Sequence, residues 1–215
     1  VTPRVVILSA PSGGGKTTIT RALLARRSDV GYSVSATTRS PRPGERDGEA
    51  YHFVTRAEFE RLIAEGELLE WAEYAGNLYG TVRGEVRRVL AGGRHVLLDI
   101  EIQGARQVQR ECPPPESISV FVLPPAPAIW IERLVGRETE APGVLAQRLQ
   151  RAITEIRESL DWEHIVINDD LEAVVAEVGA IIDEDGAVPH RPPISRLVRL
   201  VEELVGAAER HRPPA

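Results

Sequence analysis

A strand that runs into consecutive glycines and restarts at once as a helix can be built into few folds, and residues 4 to 27 are written that way. "RVVILSA" (4–10) is a short apolar run rich in β-branched residues. "PSGGG" breaks it, and in "KTTITRALLARR" Ile19, Leu23 and Leu24 recur at helical spacing. Within this unit "APSGGGKT" (10–17) fits the phosphate-loop (P-loop) pattern, with Ala10 where glycine is usual. Gly13, Gly14 and Gly15 let backbone N–H groups converge on phosphate oxygens at a helix N-terminus, whose dipole favours anions. Lys16 adds a charge for the β and γ phosphates, and the Thr17 hydroxyl suits Mg2+. Lys16 is also the only lysine among the 26 Lys and Arg residues of the chain. A planar guanidinium suits a fixed bidentate partner, whereas an ammonium on a flexible stem can follow a phosphoryl group as it moves.

The strand-then-helix unit recurs. "HVLLDI" (95–100), "SISVFVL" (117–123) and "HIVINDD" (164–170) are each followed by a helix-compatible stretch, which argues for a parallel, doubly wound sheet. Asp99, near the end of the first of these, stands where a second-strand carboxylate would meet Mg2+ directly or through water; a solvated strand-end Asp is the other reading. Residues 34–83 have a different texture, with turn residues, β-formers and most of the tyrosines, and read as an inserted subdomain. Residues 126–160 are helical, carry arginines and are broken at "APG" (141–143), as a closing arm would be. The expected fold is therefore α/β. A P-loop parallel sheet flanked by helices (1–33, 84–125 and 161–215) carries a mixed β/α insertion at 34–83 and a helical lid at 126–160.

The 215 residues, 42% hydrophobic, suffice for a real core. A net charge of −6 with both signs dispersed offers no basic tract for nucleic acid. The single Cys112 excludes an intrachain disulfide framework, and no secretory signal opens the chain, so a reducing cytoplasm is expected. "ISVFVLPPAPAIWI" (118–131) is too short and too rich in proline to span a bilayer. In the tail, Ile194, Leu197, Val198, Val201, Leu204, Val205 and Ala208 form one apolar stripe. That stripe packs on the chain's own core or on a second copy, so monomer and homodimer both stay open.

Further stretches carry a resemblance. "SVSATTRSPRPGERDGEAYHF" (33–53), "EWAEYAGNLYGT" (70–81) and "LLDIEIQG" (97–104), with "RLVGRETE" (133–140) and "VIND" (166–169), resemble guanylate kinase in collinear order over about residues 4 to 185. The resemblance implies transfer of the γ-phosphoryl group of ATP to GMP or dGMP, with Mg2+ as cofactor, Thr17 and Asp99 being its protein ligands. For ATP it implies Ser12, Gly13, Gly14, Gly15, Lys16, Thr17 and Thr18 in the loop, Arg133, Arg137 and Arg148 as lid arginines, and Asn168 near the adenine. Arg133 reads equally as a solvated helix residue and Asn168 as a turn former. The lid departs from the family pattern at 138–143, where Gly-Thr and paired acids are usual.

For GMP the resemblance implies that Arg39 and Arg42 hold the phosphate with the Tyr51 and Tyr79 hydroxyls, and that Ser35, Glu70 and Thr81 read the guanine, beside Asp99 and Glu101. Glu101 replaces the commoner Asp, so a guanine contact and a surface carboxylate both stay open. The chemistry agrees. Two guanidinium forks can saturate a phosphate dianion. A carboxylate can accept from N1–H and N2–H2 of guanine and a hydroxyl can donate to O6, so adenine leaves buried groups unpaired, with discrimination of ~10⁴-fold. The acceptor is already an anionic oxygen, so catalysis is expected from positioning and charge neutralisation by Lys16, Arg39, Arg137, Arg148 and Mg2+ rather than from a strong base. Two rivals remain. One is a phosphopeptide-binding module of guanylate-kinase-like fold, opposed by the retained Lys16, Thr17 and Asp99. The other is a kinase for another nucleoside monophosphate, opposed by Glu70 and Thr81.

Overall fold

The computed structural model describes residues 2–74, 76–135 and 142–210, with the backbone alone at 135 and 142–148. In chain order the elements are β1 (Val5–Ser9), α1 (Lys16–Arg26), β2 (Val30–Tyr32), β3 (Ser35–Thr37), β4 (His52–Phe53), α2 (Arg56–Ala64), β5 (Leu68–Tyr74), β6 (Asn77–Val82) and α3 (Arg83–Ala91). There follow β7 (His95–Asp99), α4 (Ile102–Glu111), β8 (Ser117–Leu123), α5 (Pro127–Val135), α6 (Pro142–Glu158), β9 (His164–Ile167), α7 (Leu171–Asp183) and α8 (Ile194–Arg210). They fall into two compact units, Val1–Ile7 with Leu24–Ile118 and Leu8–Leu23 with Ser119–Ala215, so β1 contributes to both.

In the first unit the strand order is β2-β7-β1, with β2 and β7 parallel and Val30 opposite His95. β2 is absent from the sequence reading because it is three residues long with no alternation of its own; its strand state comes from pairing with β7. A second sheet, ordered β4-β3-β6-β5, is mixed: β3 runs parallel to β4 and antiparallel to β6, which is antiparallel to β5. Its core is Ala36, Phe59, Leu68 and Leu78, with Leu62 and Ile63 of α2 packed against it. The Thr55 Oγ1 starts α2 by accepting from the Glu58 N–H at 3.2 Å, satisfying a backbone donor that the helix itself leaves unpaired. α4 packs against β5.

In the second unit the order is β1-β8-β9, with β8 and β9 parallel from Val120 opposite His164 to Leu123 opposite Ile167. Five consecutive buried residues in β1 match a strand covered on both faces. α8 packs on α5 and α6 of its own chain, but its inward face is rotated from the expected stripe. Leu197, Leu200, Val201, Leu204, Val205, Ala207 and Ala208 are buried, whereas Ile194 and Val198 are 61% and 37% exposed. The buried set is a row repeating every three to four residues, and Ile194, the first residue of the helix, lies off its end. Leu204→Ala empties a fully buried position and is expected to destabilise the fold by about 2–5 kcal/mol, read as a lower urea midpoint. A midpoint that does not move would mean that α8 adds nothing to the fold. Among the described residues no helix is long and apolar enough to cross a membrane.

Candidate active site

The phosphate loop belongs to the second unit. Gly13 and Gly15 have φ of +81° and +93°, the left-handed region that glycine enters without a Cβ penalty. Those reversals turn successive peptides in alternate directions, as a loop presenting N–H groups to an anion requires. Gly14 serves differently from expectation: its N–H donates to the Pro11 carbonyl at 2.8 Å and closes the turn. Ala10, where glycine is usual, is not among the residues with positive φ and is 6% exposed. A Cβ on Gly14 would come within 3.0 Å of the Ala10 methyl, so the alanine is accommodated because Gly14 has no side chain. Lys16 is the first residue of α1, and Thr17 and Thr18 are exposed in its first turn. The Thr18 N–H donates to the Gly15 carbonyl at 3.1 Å.

Two predicted ATP-side residues lie against this loop. Arg133, on α5, brings its Nη1 to 3.8 Å from where a Gly15 Cβ would be. Asn168, just after β9, is 8% exposed and its Nδ2 donates to the Gly14 carbonyl at 2.9 Å. One N–H of its amide thus serves the loop itself, a contact that neither the turn-former nor the adenine reading includes. Trp130, which the sequence reading did not single out, donates its indole N–H to the Ser12 carbonyl at 2.9 Å. Arg137 and the side chain of Arg148 lie outside the described residues.

The residues expected around the GMP phosphate belong to the first unit. The Thr38 N–H donates to the Leu78 carbonyl and the Thr38 Oγ1 accepts from the Leu78 N–H, pinning the start of the Arg39 loop to β6. The Arg39 guanidinium carbon then sits 5.5 Å from the Tyr51 ring centroid, and the Tyr51 and Tyr79 rings are 5.9 Å apart. Arg39, Tyr51 and Tyr79 are therefore brought together. Glu45, also missed from sequence, accepts from Arg39 Nη2 at 2.9 Å and from the Arg42 backbone N–H at 2.7 Å. The Arg42 N–H holds the Glu45 carboxyl below its usual range, burial opposing and Arg39 adding to the effect. The Arg42 side chain is exposed. Burial, and then the charge of Asp99 and of Tyr51, pushes the Tyr32 phenol above its usual range; Asp99 is the last residue of β7.

The three expected guanine readers form a row across adjacent strands. Ser35 on β3 stands opposite Thr81 on β6, and Thr81 stands opposite Glu70 on β5. The Thr81 Oγ1–H donates to Glu70 Oε1 at 2.7 Å, with Glu70 only 5% exposed. α4 comes up against that carboxylate and its strand through two residues the sequence reading passed over. Gly104 has no side chain where a Cβ would lie 2.2 Å from Glu70 Oε2. One turn on, Gln107 clasps the main chain of Trp71, Nε2 donating to its carbonyl at 2.8 Å and Oε1 accepting from its N–H at 3.3 Å. "QGARQ" (103–107) held the signal, a glycine and an amide three residues apart on one helix face. Glu101 is the N-cap of α4 with no side-chain bond to the helix end.

Comparison with known proteins gives the family. The family model described as Guanylate kinase matches residues 2–185. A guanylate kinase of Symbiobacterium thermophilum is 46% identical over 199 residues, covering 93% of each chain. One from Thermobifida fusca is 48% identical over 83% of this chain and 90% of its own. The crystal structure of guanylate kinase from Anaplasma phagocytophilum superposes with a TM-score of 0.68 at 29% identity, covering 92% of this chain and 94% of that one. A glycine-turned phosphate loop, a three-strand row ending in a buried carboxylate, and likeness across nearly the whole chain lead to one assignment: the chain belongs to the guanylate kinase family.

Proposed function

We propose that this protein phosphorylates GMP, and dGMP, at the expense of ATP, giving the nucleoside diphosphate and ADP. The observation that carries this reading is the row Ser35, Thr81 and Glu70 across adjacent strands, half-buried at Ser35 and buried at Thr81 and Glu70. Glu70 offers carboxylate lone pairs to the adjacent N1–H and N2–H2 of guanine. Because the Thr81 hydroxyl proton is committed to Glu70, Ser35 is the hydroxyl that donates to O6. Arg39, with Tyr51 and Tyr79, receives the 5′-phosphate, exchanging the Glu45 carboxylate for a dianion that two guanidinium groups bind more strongly once Arg42 joins. On the ATP side the loop N–H groups, Lys16 and Arg133 gather the β and γ phosphates, joined by Arg137 and Arg148.

Mg2+ fits the residues present. Thr17 is an exposed hydroxyl in the first turn of α1, and Asp99 a half-buried carboxylate. Among the described residues no three His, Cys, Asp or Glu side chains cluster as a metal cage, and Mg2+ is ordinarily held by few protein oxygens plus phosphates and water. Held by the Thr17 hydroxyl in the second unit together with phosphates and water, Mg2+ would neutralise charge on the transferring phosphate. The GMP phosphate oxygen needs no strong base, so the side chains act by holding, aligning and neutralising. A lone cysteine and dispersed charge fit a cytoplasmic enzyme with no nucleic-acid or membrane partner.

Release of ADP measured with GMP, dGMP, AMP, CMP and UMP tests the reading. GMP efficiency is expected to exceed that of AMP by ~10⁴-fold. Comparable turnover of AMP would make it a kinase for another nucleotide, and phosphopeptide binding without any turnover would make it a binding module.

A further inference from the structure

We propose that Trp130 is a positioning residue for phosphoryl transfer, a latch through which the helix at the base of the lid sets the orientation of the phosphate loop. This rests on the reading of the second unit as the ATP site. A loop that offers its N–H groups to an anion must turn its carbonyls toward the protein, and each carbonyl so withdrawn from water then needs a donor. The donors can be named. Gly14 N–H serves Pro11, Trp130 Nε1–H serves Ser12, Asn168 Nδ2 serves Gly14, and the Thr18 and Ile19 N–H groups serve Gly15. Three of these are internal to the loop and its helix, and Asn168 follows β9. Trp130 alone among them comes from the stretch expected to close over ATP.

Trp130 is fully buried on α5, and its indole edge lies 3.4 Å from where a Gly13 Cβ would be. The ring therefore backs the reversed peptide at Gly13 while its N–H takes the preceding carbonyl. Arg133 is three residues further along the same helix, on the same face as Trp130. It lies beside Gly15, so one side chain fixes both the peptide at Ser12 and the rotation of α5 that presents Arg133. Leu at this position would fill space and leave the Ser12 carbonyl without its indole donor.

Trp130→Phe in the full chain keeps an aromatic ring and removes the N–H. The expected result is a Kd for MgATP, by calorimetry, and a KM for ATP that each rise about tenfold, the cost of removing the indole donor from a part-buried acceptor that orients the loop. The KM for GMP stays within about twofold. Site-specific 3-benzothienylalanine, which replaces the indole N–H by sulfur at nearly constant shape, is expected to reproduce the loss, and it remains informative if the Phe variant does not fold. ATP affinity and KM unchanged in the benzothienyl protein would overturn the latch, as would a lowered thermal midpoint with both KM values preserved. A parent protein inactive toward GMP whose MgATP affinity still depends on the N–H would sink the kinase reading and leave the latch standing.

Discussion

Lys16→Ala is expected to lower turnover by on the order of 10³-fold, with the KM for GMP changed by no more than about twofold. Lys16 begins α1 immediately after three glycines, of which the last is held at φ +93°. A side chain there rises from the point where the loop and the helix dipole already attract anions. Its own contribution is to be realised as negative charge shifts toward the leaving oxygen, so its removal appears in kcat more than in ground-state binding. The side chains expected to hold GMP belong to the other compact unit, which is why GMP KM is the internal control. Lys16→Arg sharpens the test. A guanidinium keeps the charge but is wider, planar and fixed in its donor directions, so a loss of about tenfold or more is expected. Near-native turnover of the Arg variant would show that charge alone suffices at this position, and near-native turnover of Lys16→Ala would remove the mechanism.

What could be read from the sequence was local. The phosphate loop was legible because its strand, glycines and helix are contiguous, and the α8 stripe because helical period marks it, although Leu200 and Ala207 belong to its face and Ile194 and Val198 do not. Ser35, Thr81 and Glu70 were legible through a family resemblance, but their alignment opposite one another is a matter of strand register that the quoted stretches do not express. The residues passed over act across the fold. Glu45 joins Arg39 only because the loop after β3 doubles back, and Trp130 meets Ser12 from 118 residues away. In one dimension Trp130 is one more apolar residue of a helix; its N–H matters only once a carbonyl is set in front of it.

Gly104→Ala is expected to reduce kcat/KM for GMP by about 10²-fold and to shrink the preference for GMP over IMP, while the KM for ATP stays within about twofold. The new Cβ would sit 2.2 Å from Glu70 Oε2 and 2.8 Å from its carboxyl carbon, closer than such atoms come. The obstacle is the end of a flexible side chain, so the conflict is relieved cheaply by swinging the carboxylate aside, and the fold should keep most of its stability. That relief is what costs function. Glu70 gives up the Thr81 bond of 2.7 Å and with it the direction in which its lone pairs face N1–H and N2–H2. The strand cannot retreat instead, because Gln107 holds the main chain of the next residue, Trp71, from the same helix. IMP lacks the N2 amine, so its efficiency depends less on Glu70 and should fall less, which separates misdirected recognition from general damage. Gly84→Ala supplies the control. A Cβ at Gly84, in α3 of the same unit, would meet, among the described residues outside its own helix backbone, only Val82 Cγ1 at 3.9 Å, and exchange there is expected to leave both KM values unchanged while favouring the helix by up to about 1 kcal/mol. If Gly104→Ala instead kept the ratio of GMP to IMP efficiency, the carboxylate would have a second position from which to read guanine, and the approach of α4 would not be what sets specificity.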